Sequence, residues 1–186
     1  NYFELNHFNK IPYTQYEEKS QTLQEYKEKE KSDTETTNLV NEELDKVNLL
    51  LGKTDVQGEG VIITLKDSVD ADGNTQNITN DVLNIIINEL KLAGAEAISV
   101  NDERIINMSD IASINEKSLI LVNGQRIIPP YIIRAIGDQT YLESTLVGKG
   151  GSIDEYTKQG YDITVEKSNK VEIQKYNQEI KTKYIQ

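Results

Sequence analysis

Asp70, Asp72, Asn74, Gln76 and Asp81 occupy the first, third, fifth, seventh and twelfth places of a stretch that reads like a calcium loop. Oxygen donors at that spacing suit a hard divalent cation. Two places disagree: Thr75 stands where the sharp turn needs Gly, and Asp81 replaces the longer Glu that binds through both oxygens. A strand pattern precedes the stretch, not a helix, so a polar strand-to-helix loop is the preferred reading and no metal is expected. Gly148-Lys149-Gly150-Gly151-Ser152 has the look of a phosphate cradle, but it lacks the full P-loop pattern and follows a helix. It reads as a flexible cap joining two helices. Leu92-Ala93-Gly94-Ala95 is a helix end, not a dinucleotide fingerprint. No cofactor is expected.

Arg104, Arg126 and Arg134 are the only arginines. Guanidinium forks match carboxylate and phosphate, so their convergence would make an anionic-ligand site. The competing reading is three strand-face ion pairs with carboxylates nearby in sequence, Asp102, Glu103 and Asp110 among them. The chain has no Cys and one His, His7. Disulfides, thiolate nucleophiles, zinc–thiolate sites and multi-histidine metal centres are thereby excluded. Paired carboxylates carry little information in so acidic a chain. No catalytic set emerges, and the expectation is a protein that is not an enzyme.

The 186 residues carry 31 acidic and 20 basic side chains, a formal net charge of -11. That balance argues against nucleic acid, whose phosphates need clustered Lys and Arg. No apolar run is long enough to span a bilayer. The chain starts at Asn1, and the expectation is a fragment with any signal or anchor lying upstream.

Composition shifts near Gly52–Gly60, which divides the chain into a helical stalk, residues 1–56, and an α+β domain, residues 57–186. Residues 16–51 are rich in helix formers. Tyr16, Lys19, Leu23, Tyr26, Glu30, Asp33, Thr37, Val40, Leu44, Val47 and Leu51 follow heptad steps, with polar groups in the middle of the seam. One unbroken helix there would span about 54 Å. It could pair as a homodimeric coiled coil, stand as a solvated helix, or dock its C-terminal half on its own domain.

From Gly58 the period changes. Gly60–Lys66 predicts a strand, Asn80 or Asp81 caps a strongly apolar helix, and Gly94 ends it. Ala95–Val100, Arg104–Met108, Ser118–Val122, Gln125–Ile128 and Tyr131–Ile136 read as strands. Asn123-Gly124 is the strongest hairpin signal, of type I′. Pro129-Pro130 should end or bend the sheet, leaving Tyr131 near the surface as a candidate protein contact or, in the plainer reading, as cover for the core edge. Asp138 caps a helix through Leu146, a short helix spans Ser152–Gln159, and Tyr161–Glu166 with Lys170–Lys175 predict a terminal hairpin turning at Ser168-Asn169. Glu179–Ile185 reads as an edge strand. Without the added hairpins the order is β-α-β-β-α-β, that of a ferredoxin-like core.

Three strings carry a family resemblance: Asp81-Val-Leu-Asn-Ile-Ile-Ile-Asn-Glu-Leu-Lys-Leu-Ala-Gly-Ala-Glu-Ala-Ile-Ser-Val-Asn-Asp-Glu-Arg104, Val122-Asn-Gly124, and Pro129-Pro-Tyr-Ile-Ile-Arg-Ala-Ile-Gly-Asp138. They resemble the domain of unknown function 881 family, the YlxW/YlxX-like proteins of Gram-positive bacteria, from about Gly58 to the C-terminus. Residues 1–56 match only in kind, as that family's coiled-coil stretch. The resemblance implies a single-pass membrane anchor, a coiled coil, and a globular domain outside the cytoplasm. It also implies envelope or division partners, in division or sporulation, and offers no catalytic residues. The expected function is a non-enzymatic scaffold or interaction domain, with small-molecule sensing of an anionic ligand as the alternative. A deep pocket lined by Arg104, Arg126 or Arg134 would favour sensing, and a flat apolar patch would favour scaffolding.

Overall fold

The computed structural model describes residues 19–26, 34–69, 72–114 and 119–180. The described residues fall into two compact units, one up to Thr54 and from Asn177 onward, the other Asp55–Tyr176. In the first unit, residues 19–26 (α1) and Thr34–Leu50 (α2) are helical. Lys19 Nζ lies 3.9 Å from Glu43 Oε1. On one straight helix those residues would stand about 36 Å apart, so α1 and α2 are not segments of one straight helix. Within the single chain Leu44, Val47 and Leu51 are already buried, and Val40 is partly exposed. No described helix is long and apolar enough to cross a membrane.

The second unit is a mixed α+β arrangement of antiparallel sheets. Its strands are β1 (Val56–Lys66), β2 (Ser68–Val69), β3 (Thr75–Gln76), β4 (Ala97–Val100), β5 (Glu103–Ile105), β6 (Ile111–Ile114), β7 (Leu119–Val122), β8 (Gln125–Ile127), β9 (Tyr131–Ile136) and β10 (Asp162–Ile173). Its helices are α3 (Asn80–Leu92), α4 (Gln139–Val147) and α5 (Ser152–Lys158). The main sheet runs β10-β1-β9-β4-β5, and β6-β7-β8 and β2-β3 form two smaller sheets.

Strand alternation decides what each face of the main sheet carries. Val61, Ile63 and Leu65 of β1, Val100 of β4 and Ile133 and Ala135 of β9 form a core with Leu83, Ile86 and Leu90 of α3, Leu142 and Leu146 of α4, and Ile153 of α5. Ile120, Val122 and Ile127 of the small sheet close the same core. α3 is capped by Thr79, whose Oγ1 accepts the Val82 amide at 3.5 Å. The cap thus falls one residue before the expected Asn80. Gly94, at φ 82°, ends α3 as expected. Asp138 Oδ1 caps α4 by accepting the amides of Thr140 and Tyr141, both at 2.9 Å.

The expected terminal hairpin is instead one twelve-residue strand, β10. Gly58 pairs with Val171 and Gly60 with Ser168, so three steps of β10 oppose two of β1. Ser168-Asn169 is a bulge within continuous pairing rather than a turn, since β1 offers a partner on both sides of it. A Cβ at Gly60 would overlap the Ala135 carbonyl oxygen, so this close strand crossing requires glycine. At the bulge the β1–β10 ribbon bends. Gly60 is level with Ile136 and Ala97 in the ladder, and a flat strand would carry Val56 about 13 Å beyond them. Val56, Val171 and Ile173 instead pack with Ala97, Ile136 and Ile62 as a second cluster, on the face opposite the helices.

Candidate functional site

The bent ribbon and the sheet face opposite α3, α4 and α5 border an open cleft of about 780 Å³. Asp55, Val56 and Gln57 line it from one end of β1, with Ile62 further along that strand and Lys170–Gln174 from the partner strand. Asp102 and Arg134 close the other side. Asp55 is tied in place, since its Oδ1 accepts the Lys175 amide at 2.7 Å.

Pairing register sets a row of side chains on this face. Arg104 of β5 is opposite Ser99 of β4, Ser99 is opposite Arg134 of β9, and Arg134 is opposite Ile62 of β1. Arg134 Nη1 donates to Asp102 Oδ1 at 2.6 Å, at the rim. Asp102 occupies the left-handed turn Asn101-Asp102 between β4 and β5, at φ 45° and 70°. Asn101 fixes that turn from below. Its Nδ2 donates to the carbonyls of Ile128 and Pro130, and its Oδ1 accepts the Ile132 amide at 2.8 Å.

Arg104 and Ser99 are the row's buried members, 6% and 1% exposed. Among the described residues Arg104 Nη1 and Ser99 Oγ find no hydrogen-bond partner. Burial lowers the Arg104 pKa from the usual arginine value, and attraction to Asp55 partly opposes that shift. The strand carrying Arg104 is held by its own carbonyl, which accepts Asn123 Nδ2 at 3.0 Å and Ser109 Oγ at 3.3 Å. Asn123 thus serves twice: with Gly124 it makes the expected turn, at φ 53° and 74°, and its side chain anchors β5.

The three arginines do not converge. Arg104 and Arg134 flank Ser99, whereas Arg126 is exposed on β8 of the separate small sheet. Tyr131 is not a surface contact. It is 1% exposed, paired with Leu65 in β9 and part of the core. The prolines before it do not turn it outward, because strand alternation puts it on the helix-covered face. Burial, and secondarily Asp67, raises its phenol pKa.

The Gly-rich segment is filled from within. Glu89 of α3 accepts the Ser152 amide at 3.1 and 3.2 Å and the Ser152 hydroxyl at 2.6 Å, taking the place a phosphate would occupy. The calcium-like stretch is split among elements: Thr75–Gln76 pair with Ser68–Val69, and Asp81 stands in the first turn of α3. Asp70 lies outside the described residues. Sequence reasoning missed Ser99 and Asp55. Ser99 had a signal, as the one hydroxyl in the apolar strand Ala97–Val100; Asp55 had none.

A family described as a bacterial protein of unknown function (DUF881) matches residues 43–186. The chain belongs to that family. It is 31% identical over 136 residues to UPF0749 protein YlxW of Bacillus subtilis (strain 168), covering 71% of this chain and 58% of that protein. It is 30% identical over 142 residues to UPF0749 protein Mb1856 of Mycobacterium bovis, covering 75% and 47%. The chain therefore spans about half the length of the curated relatives it matches. A crystal structure of an uncharacterized conserved protein from Mycobacterium tuberculosis superposes with a TM-score of 0.62 at 28% identity, over 77% of this chain and 97% of that one. The DUF881 match begins inside α2, so the family takes in part of the helical unit as well as the sheet domain.

Proposed function

We propose that this DUF881 chain is the extracytoplasmic, non-enzymatic part of a single-pass membrane protein of the division or sporulation apparatus, and that it senses a small anionic ligand. Its core β1-α3-β4-β9-α4-β10, with sheet order β10-β1-β9-β4, fits the ferredoxin-like arrangement. One observation carries the sensing reading: a cleft of about 780 Å³ walled by Arg134, which shares a pairing row with a buried arginine whose Nη1 finds no partner among the described residues. Clefts of this size with a few placed polar groups suit small molecules.

The scaffold reading stands second. Ile85 and Leu92, 45% and 82% exposed and seven residues apart on α3, favour it, since they lie on one stripe of the helix. Envelope or division partners and a homodimer through α2 belong to the same proposal. The test is mass spectrometry of small molecules retained by the membrane-anchored protein purified from its own cells, beside a crosslinking pull-down. A stoichiometric anion supports sensing. No anion, with a protein partner lost on Leu92→Lys, overturns sensing in favour of scaffolding. Sedimentation of residues 1–186 against residues 57–186 tests the dimer: equal, monomeric behaviour of both sinks it.

A further inference from the structure

Arg104 and Ser99 face each other across the β4–β5 ladder, both are more than nine-tenths buried, and each keeps a polar atom without a partner among the described residues. A buried cation with an unused donor is costly, and removing the partner of such a charge typically destabilises a protein by several kcal/mol. Neighbouring unsatisfied donors in one place call for an acceptor. Among the described residues Asp55 attracts Arg104, and its Oδ1 already accepts the Lys175 amide. On the other side of Ser99, Arg134 is half-engaged, with Nη1 on the exposed Asp102. Arg104 and Arg134 sit two strands apart, about 10 Å, with Ser99 between them; Arg134 lines the cleft, and Ser99 and Arg104 lie behind its lining, so an anion reaches them past Arg134.

We propose that Ser99, Arg104 and Arg134 form a three-donor row that binds the anionic group of a ligand, a carboxylate or a phosphate monoester, while its apolar part lies along Ile62, Val56 and Ile173 in the cleft. This rests on the sensing reading above and names its site. Asp102 is the built-in competitor: its carboxylate holds Arg134 when the row is empty and yields it to the incoming anion. Arg126 takes no part.

The experiment follows the arginine side-chain N–H signals of residues 1–186 by nuclear magnetic resonance. Sodium phosphate and sodium acetate are titrated separately, against sodium chloride at matched ionic strength. Saturable shifts at Arg104 and Arg134 with Arg126 unmoved are expected with one of the two anions. A response to phosphate alone assigns a phosphate ligand; a response to acetate alone assigns a carboxylate. Arg104→Met should weaken binding at least about tenfold, the scale of a charge-assisted hydrogen bond. Asp102→Asn should tighten it about two- to fivefold, the scale of an exposed ion pair. Should Arg104→Met fail to fold, Ser99→Ala replaces it, with a loss of about threefold or more. The proposal is overturned if neither anion moves Arg104, which would mean that water satisfies the pair. It is also overturned if all three arginines respond alike, or if Asp102→Asn weakens binding. A ligand retained in the cells that binds Arg104→Met as well as wild type overturns the row but leaves sensing intact.

Discussion

The two faces of the main sheet come from the same strands and have opposite character. On the helix-covered face Val61, Ile63, Leu65, Val100 and Ile133 are fully buried among α3, α4 and α5, and every one is apolar. On the opposite face, one residue along each strand, Ile62, Ser99, Arg134 and Arg104 alternate with them, and burial there strands two polar atoms. The covered face gains stability with each side chain it buries. The other face also buries Ala97, Ile136, Val171 and Ile173, but the buried Arg104 and Ser99 offset part of that gain, and this face borders the cleft. A buried polar row beside a well-packed core is what the proposed ligand site calls for.

Gly60→Val should show the largest effect, because it drives a Cβ into the Ala135 carbonyl at the bend on which the second face depends. A loss above about 4 kcal/mol, or no folding at all, is expected in urea denaturation. Near-normal stability would mean that the ribbon need not cross β9 so closely.

A matched pair then contrasts the faces directly. Leu83→Ala, under the covered face, should cost about 2–5 kcal/mol. Arg104→Met, on the other face and without ligand, should be neutral or stabilise by about 1–4 kcal/mol, since a well-packed apolar side chain replaces a desolvated charge. Destabilisation of both variants to a similar degree would erase the distinction between the faces.

Gly124→Val places a β-branched residue at φ 74° in the β7–β8 turn. The expected loss is about 1–3 kcal/mol in the same measurement. No atom stands near that position, so the loss would reflect backbone strain rather than collision.

The smallest effect is one of pH. Tyr131 has a folded-state pKa raised by burial and then by Asp67. Its contribution is fully present below the unfolded phenol value, about 10, and is lost as pH rises through the higher folded value. Thermal melts of wild type and Tyr131→Phe should run parallel below about pH 10 and diverge above it, with wild type falling faster. Parallel curves throughout would mean that the phenol reaches water.

Much of this molecule was legible along the chain. The Asn123-Gly124 turn, the Asp138 cap, the Gly94 helix end and the strand Tyr131–Ile136 were all read from signals within a few residues of one another. Such features are decided by backbone sterics and nearby hydrogen bonds, which neighbouring residues supply themselves. Tertiary structure alone decided the rest. Ser168-Asn169 became a bulge because β1, over a hundred residues earlier, pairs on both sides of it. Tyr131 went inward because the helices cover its face of β9, and the arginines divided because β8 joined a different sheet. Arg104, Ser99 and Arg134 came into one row through strand pairing, which has no local signature: it is settled by which apolar faces can be buried together, and that depends on the whole chain.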